Sequence, residues 1–300
     1  MTHRLNLILL VLVLAVGLPF YWFLLDNSGQ SLPTKPITIA QLRQLAASIP
    51  GEAPYAVEVE RSAFRRVPGD VMVAGSGFKR KLVGYMAFRL PVHGGKPVMI
   101  ESGITSAIAA AQNAESFNGS DQAKIDSALD SAGLILVTHE HPDHLGALAA
   151  HGGAALGEHA WLNSHQLAAN LPWNGPKPLP RLSGAALQAV APGIVVIAAP
   201  DSHTPGSQLI YVRLSDGHEL LFAGDNSSFA QNWMELRGRS RLVETWFAPE
   251  NRAEVFAWLK TIRALKAQAP GLLVVPGHDW EWLADPTNHT GVRIGFSPGL

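Results

Sequence analysis

The pattern of apolar and polar positions divides the chain into two unlike parts. Residues 7–25 form a run of 19 positions without a charge, rich in Leu, Val and aromatic side chains. As a helix rising about 1.5 Å per residue, this run nearly matches the roughly 30 Å hydrocarbon core of a bilayer, so it predicts a membrane-spanning segment. Residues 26–36 (DNSGQSLPTKP) are polar, carry two prolines and predict a linker. The remainder alternates short apolar runs with helical patterns. Runs at 98–100, 134–137, 194–198, 209–212, 220–223 and 272–275 predict buried strands, each bounded by Gly, Pro, Asp or His. Ile39, Leu42 and Leu45 predict a short helix over 37–47, and Val255, Trp258, Leu259, Ile262 and Leu265 form the apolar stripe of another over 251–265. Strands and helices without strict βαβ alternation predict an α/β (α+β) layered architecture with helices outside.

Composition narrows the chemistry. The 300 residues are 47% hydrophobic and 16% charged, which excludes a disordered or collagenous chain. The absence of cysteine excludes disulfide scaffolds, thiol nucleophiles and any metal site with a thiolate ligand. A formal net charge of −1 gives no basic field for nucleic acid. Around the apolar run, Arg4 precedes it, Asp26 follows it, and the next cation is Lys35. The positive-inside rule then keeps the N-terminus cytoplasmic and exports the rest to the periplasmic or extracellular side, with Tyr21 and Trp22 at the outer interface. The alternative is a cleaved signal peptide, for which the small residues Ala15 and Gly17 offer a cleavage site.

Directly after the 134–137 run comes Thr138-His139-Glu140-His141-Pro142-Asp143-His144, with three imidazoles and Asp143 inside six positions. On extended chain His139 and His141 point to one side, whereas Asp143 and His144, at a turn into a helix, address a neighbouring position. One loop can therefore serve two metals, but four residues cannot close two coordination shells. Further ligands are required at other strand ends, and three candidates follow apolar runs: His203 in D-S-H-T-P-G-S, Asp225 in F-A-G-D and His278 in V-P-G-H.

In these motifs, in this order, the chain resembles the metallo-β-lactamase fold superfamily over residues 98–279. The resemblance implies a four-layer αββα sandwich, which would occupy 37–300 beyond the transmembrane signal anchor (1–25) and the linker (26–36) read from the pattern above. It implies that His139, His141 and His203 hold a first metal, that Asp143, His144 and His278 hold a second, and that Asp225 bridges them. Imidazole and carboxylate ligands suit two Zn²⁺ per chain, with Fe or Mn as alternatives. Two such ions can share and acidify a water, so the expected reaction is attack by a bridging hydroxide on a carbonyl or phosphoryl centre, with catalytic Asp143 orienting it or relaying its proton. Glu140, Thr204, Asp201 and Asp279 are candidates for fixing ring tautomers or, equally, for solvent-exposed or loop-capping roles. Glu101 stands where many relatives carry a strand-terminal Asp. His3, His93, His151, His159, His165, His218 and His289 lie apart from the motifs and read as ordinary histidines. Trp280, Trp282, Phe229 and Trp233 are candidates for pocket walls or core, and Arg237, Arg239 and Arg241 read first as a solvated charged loop, with an anion contact as the alternative.

The expectation is therefore a membrane-anchored dinuclear zinc hydrolase of a small lactone or carboxylic ester. The alternatives are a phosphodiesterase at the same site, a mononuclear iron sulfur oxidoreductase, and a non-catalytic metal-binding module. Lactonase-like relatives share the ligand set but often place Tyr three residues past the bridging Asp, where this chain has Ser228.

Overall fold

The computed structural model describes residues 3–29, 31–153 and 155–297. Two sheets face each other. The first contains β1 (Glu58–Pro68), β2 (Arg80–Leu90), β3 (Val98–Ile100), β4 (Ser116–Phe117), β5 (Leu134–Leu136) and, from the far end of the chain, β11 (Arg293–Ile294), in the order β11-β1-β2-β3-β5 with β4 beside β1. The second contains β6 (Leu187–Ala191), β7 (Ile194–Ala198), β8 (Gln208–Arg213), β9 (Glu219–Gly224) and β10 (Leu273–Pro276), in the order β10-β9-β8-β7-β6.

The continuous apolar runs arise because the strands are buried on both faces, with side chains alternating between two cores. Leu220 and Phe222 of β9, Ile210 and Val212 of β8, and Ile194 and Val196 of β7 point between the sheets, where they meet Val59, Phe88, Ile100, Leu134 and Leu136 of the first sheet. The intervening residues Leu221, Ala223, Leu209, Tyr211, Val195 and Ile197 point outward and pack on the helices Ile39–Ala46 and Arg252–Gln268. Likewise Ile135 and Val137 pack outward beneath the helices Gly119–Ser131 and Pro142–His151. Local signals start these helices. Thr38 and Gln41 form a capping box, and Asn118 and Asn251 accept hydrogen bonds from first-turn amides.

Phe88 and Phe222 meet edge to face at 5.0 Å across the inter-sheet core. Replacing Phe222 by Ala removes this pair and leaves a cavity, and the expected loss is about 3–5 kcal/mol. Chemical denaturation checks it; a loss below about 1 kcal/mol, the level of a typical surface change, would contradict this packing.

The topology brings the strand ends that matter to one edge. β9 and β10 are parallel, and β7 runs in their direction because β8 is antiparallel to both β7 and β9. The segments following β7, β9 and β10 therefore emerge together. The segment following β5 is tied to the same edge, where the Gln208 amide donates to Thr138 O at 2.8 Å and the Gln208 and Gln166 side chains donate to Val137 O.

The apolar N-terminal helix His3–Phe20 continues through a π-helical turn, Tyr21–Leu25, and none of its span is buried against the rest of the chain. The polar segment after it is irregular backbone held down on the domain. Asp26 is buried and accepts from Arg241 Nε at 2.7 Å, Asn27 donates to Leu236 O at 2.9 Å, and Lys35 pairs with Glu254 while its amide donates to Thr261 Oγ1 at 2.8 Å.

Candidate metal centre

Each motif folds for a local reason. His141 caps the helix Pro142–His151 on extended backbone, Pro142 occupies its first turn without a lost hydrogen bond, and Asp143 lies in that turn. His139 and His144 are thereby brought from opposite ends of one short loop into ring contact, with centroids 3.9 Å apart. At Gly224, φ is +51° and an added Cβ would lie 2.5 Å from Thr138 Oγ1, so the backbone turn that presents Asp225 requires glycine. At Gly277 an added Cβ would lie 2.7 Å from Asp225 Oδ1.

The seven side chains converge as two groups. His139 Nε2 and His203 Nε2 each lie 3.1 Å from His141 Nδ1, and Asp225 Oδ2 lies 3.8 Å and 3.4 Å from the Nε2 atoms of His139 and His203. In the second group His144 Nε2 and His278 Nε2 are 3.3 Å apart, and Asp143 Oδ2 is 4.0 Å and 3.6 Å from them. Asp225 faces both, since its other oxygen, Oδ1, lies 3.2 Å from His278 Nε2. Within each of the groups His139, His141, His203, Asp225 and Asp143, His144, His278 the candidate ligand atoms lie within 4.8 Å of one another.

The far side of the rings fixes which nitrogen faces inward. His278 Nδ1 donates to Gly84 O at 2.8 Å, and His139 Nδ1 donates at 3.1 Å to Thr138 Oγ1, which in turn donates to Glu101. His203 Nδ1 lies 2.8 Å from Glu250 Oε2 and 2.7 Å from Arg239 Nη1. Guanidinium has no acceptor, so the His203 proton goes to Glu250. Nε2 of all three rings is then a lone pair directed at the centre. His144 Nδ1 is 3.2 Å from Glu101 Oε1, at an angle too poor for a hydrogen bond.

Electrostatics favours the ligand-ready forms. Burial and the neighbouring imidazoles push His139 well below the ordinary histidine value, and burial with His203 pushes His141 to about 4. Burial would raise Asp225 and Asp143, but His278 and Arg239 hold the first well below the usual carboxylate range, and His144 and His278 lower the second. His144 goes the other way. Burial opposes its charge, yet Glu101 and Asp143 bring it to about 9, so a proton competes with a cation for its ring nitrogen.

The donor set fits cations. Nitrogens bound tetrahedrally at the usual Zn–N length of about 2.0–2.1 Å stand about 3.3 Å apart, and the inward-facing nitrogens here are separated by close to that spacing. A cation at either cluster would meet several nitrogen and carboxylate donors at once. Replacing Gly277 by Ala pushes Asp225 and His278 apart, and metal affinity is expected to fall by about 10–100-fold, the scale of a disturbed supporting contact. Competition with a chromophoric chelator checks this; unchanged affinity would contradict the close approach.

Two supporting residues are absent from the motifs. Arg239, expected in a solvated loop, is only 4% exposed and its Nη2 reaches Asp225 Oδ2 at 2.7 Å, while Nη1 binds Glu250. Its neighbours are also engaged, Arg237 with Ala74 O and Glu235, and Arg241 with Asp26 and Glu244. Glu250 has its side chain 1% exposed beneath His203. The candidates for holding ring tautomers fare differently. Glu140 accepts from Thr204 Oγ1 and the Gly206 amide, tying two loops together, and Asp279 caps the helix Trp280–Ala284. Asp201 is exposed at a left-handed turn. The aromatics are largely core. Phe229 packs with Met72, Val73 and Val83, Trp233 with the outer face of the second sheet, and Trp280 and Trp282 against the inter-sheet core. Tyr85, which the sequence did not single out, is fully buried edge-on to His278 at 5.9 Å, and its hydroxyl has no hydrogen-bond partner. Among the isolated histidines, His93 stacks on Tyr55 and His151 pairs with Asp130.

No protein-family profile matches the chain, and no curated protein does. Solved structures do. An N-acyl homoserine lactone lactonase superposes with a TM-score of 0.60 at 14% identity, covering 77% of this chain and 95% of that one. An N-acyl homoserine lactone hydrolase with N-hexanoyl-L-homoserine bound at its catalytic metal centre gives 0.58 at 15% identity, covering 76% and 95%. A probable metal-dependent hydrolase from Staphylococcus aureus gives 0.55 at 11% identity, covering 77% and 91%. The two packed sheets and these superpositions give the chain the fold of the metallo-β-lactamase superfamily.

Proposed function

We propose that the protein is a metal-dependent hydrolase, anchored in a membrane by its N-terminal helix with the catalytic domain of residues 37–300 exported, and acting on a small lactone or carboxylic ester. The observation that carries the reading is Asp225, whose two oxygens each face a different cluster of imidazole nitrogens. On this reading His139, His141 and His203 would hold one Zn²⁺, Asp143, His144 and His278 would hold another, and Asp225 would serve both. When bound, such ions supply Lewis acidity toward the substrate oxygen and acidify water toward neutral pH.

The chain's own residues do the rest. Glu250, Thr138 and Gly84 O keep three imidazoles in the tautomer that presents Nε2. Asp143, whose carboxyl is held below its ordinary value, offers a carboxylate oxygen that can orient the attacking water or relay its proton to the departing alkoxide. A thiol or serine nucleophile is not needed. The second group favours two metals over the mononuclear iron reading, because Asp143, His144 and His278 form a complete cluster of their own. Two superposed structures named as acting on acyl homoserine lactones favour a lactone over a phosphoester. The anchor is supported by the 23-residue apolar helix, none of it buried, and by the fixed packing of its foot, which suits a retained segment better than a cleaved signal.

The test is elemental analysis of purified full-length protein beside a panel of lactones, carboxylic esters and phosphodiesters. Two Zn per chain with chelator-sensitive lactone or ester turnover is expected. One Fe with consumption of dioxygen, or metal retention without turnover on the panel, overturns the reading. Alkaline carbonate washing of membranes is expected to leave the chain in the pellet, and release into the wash overturns the anchor.

A further inference from the structure

Around the foot of the N-terminal helix, the folded domain exposes large aromatic side chains instead of covering them. Phe78, in the hairpin between β1 and β2, is 65% exposed, and Trp246 and Phe247, at the end of the helix Arg241–Trp246, are 57% and 74% exposed. They are distant in sequence but adjoin one structure. Phe20 of the N-terminal helix lies 5.9 Å from Phe78, and Phe23 lies 4.8 Å from Trp246. Tyr21 and Trp22 are themselves exposed, and Arg241 covers the Trp22 ring at 4.2 Å. Exposed rings scattered singly are ordinary; several of them gathered beside the base of a bare apolar helix are a patch awaiting a cover.

We propose that this collar is a bilayer-seating surface: Phe78, Trp246 and Phe247 sink into the lipid interface beside the helix, fixing the catalytic domain against the membrane. The proposal rests on reading the helix as a membrane span. Three observations identify lipid as the occupant. The collar is continuous with an apolar helix long enough, at about 35 Å for its 23 residues, to cross the hydrocarbon core. Phe78 is followed by Lys79, Arg80 and Lys81; Arg80 pairs with Glu115, and Lys79 is exposed next to the ring, which offers a cation at headgroup level. The joint between helix and domain is stiff. The Gly75 amide donates to Leu24 O at 3.0 Å, Asp26 pairs with Arg241, and Arg252 Nη2 donates to Asp26 O at 2.8 Å. A domain swinging on a free tether would need no such joint.

The seat also reaches the metal centre. Arg239 contacts Asp225, and two residues on Arg241 contacts Asp26; Gly238, just before Arg239, accepts from the Ala74 amide of the hairpin loop and donates to Asn27. The segment that supports Asp225 is therefore the one that carries the foot of the helix.

The absence of cysteine makes the test direct. Full-length F78C, F247C, L10C and L179C proteins, each labelled with an environment-sensitive fluorophore, are reconstituted in phosphatidylcholine–phosphatidylglycerol vesicles containing lipids spin-labelled at the headgroup or in the chain. L10C reports the span, and L179C, at a position 81% exposed away from the collar residues in sequence, reports the aqueous face. Expected is loss of fluorescence at L10C with chain-labelled lipid and at F78C and F247C with headgroup-labelled lipid, with L179C unchanged. Quenching at L10C alone overturns the seat and leaves the anchor standing, as a collar reserved for a protein partner would give. No quenching at L10C overturns the anchor itself, and quenching of L179C equal to F247C overturns the proposed orientation.

Discussion

Replacing Asp225 by Asn is expected to lower hydrolysis by orders of magnitude while leaving the fold intact. The amide keeps the shape of the carboxylate and its contact with Ser228 Oγ, 2.9 Å from Oδ1, but it has only one oxygen to share between two nitrogen clusters and no charge to balance two cations. Metal content should fall below two per chain together with kcat/KM. Elemental analysis beside kinetics on the preferred ester checks both, and a variant with full activity and full metal would remove Asp225 from the centre of the chemistry.

The second large effect is one of stability. Replacing Arg239 by Met leaves two buried carboxylates, Asp225 and Glu250, without the cation that lies between them. Breaking one side of a buried charge network costs about 3–5 kcal/mol, so urea unfolding of the metal-free protein should show a loss of this size. Saturating Zn²⁺ is expected to restore part of it, since ligand at about 100 times its dissociation constant adds about 2.7 kcal/mol to the native state and also neutralises Asp225. Adding Glu250→Gln should cost less than the sum of the two single changes, because they share one network. A loss for Arg239→Met below about 1 kcal/mol, typical of a surface pair, would contradict its buried role.

The contrast between Asp225 and Arg239 marks what the sequence makes legible. The ligands sit in motifs whose meaning is local: a strand end, a glycine that permits the turn, and a donor. The glycines of two of those motifs, Gly224 and Gly277, prove to lie where an added Cβ would meet Thr138 or Asp225. The strands were visible for a similar reason, since burial on both faces leaves uninterrupted apolar runs such as 194–198, which is β7. Arg239 carries no local signal. It belongs to a run with Arg237 and Arg241 that reads as a solvated loop, and only the docking of that loop onto Asp225 buries one guanidinium and leaves its neighbours nearer the surface. Glu250 is selected in the same way, by the approach of His203. Ser228 links the two kinds of information. It stands where the lactonase-like pattern has Tyr, and here its hydroxyl lies between Arg239 and Asp225, so this position serves the carboxylate support. The foot of the N-terminal helix shows the same limit. Residues 26–36 have a linker's composition, and the partners that pin them, Arg241, Arg252, Glu254 and Thr261, lie more than two hundred positions away.

The central claim is that two cations share Asp225. Anomalous diffraction at the zinc absorption edge from crystals of the zinc-loaded protein tests it most directly. The account predicts two peaks, one among His139, His141 and His203 and one among Asp143, His144 and His278, each touching a different oxygen of Asp225. A single peak, or peaks away from these seven side chains, would contradict it.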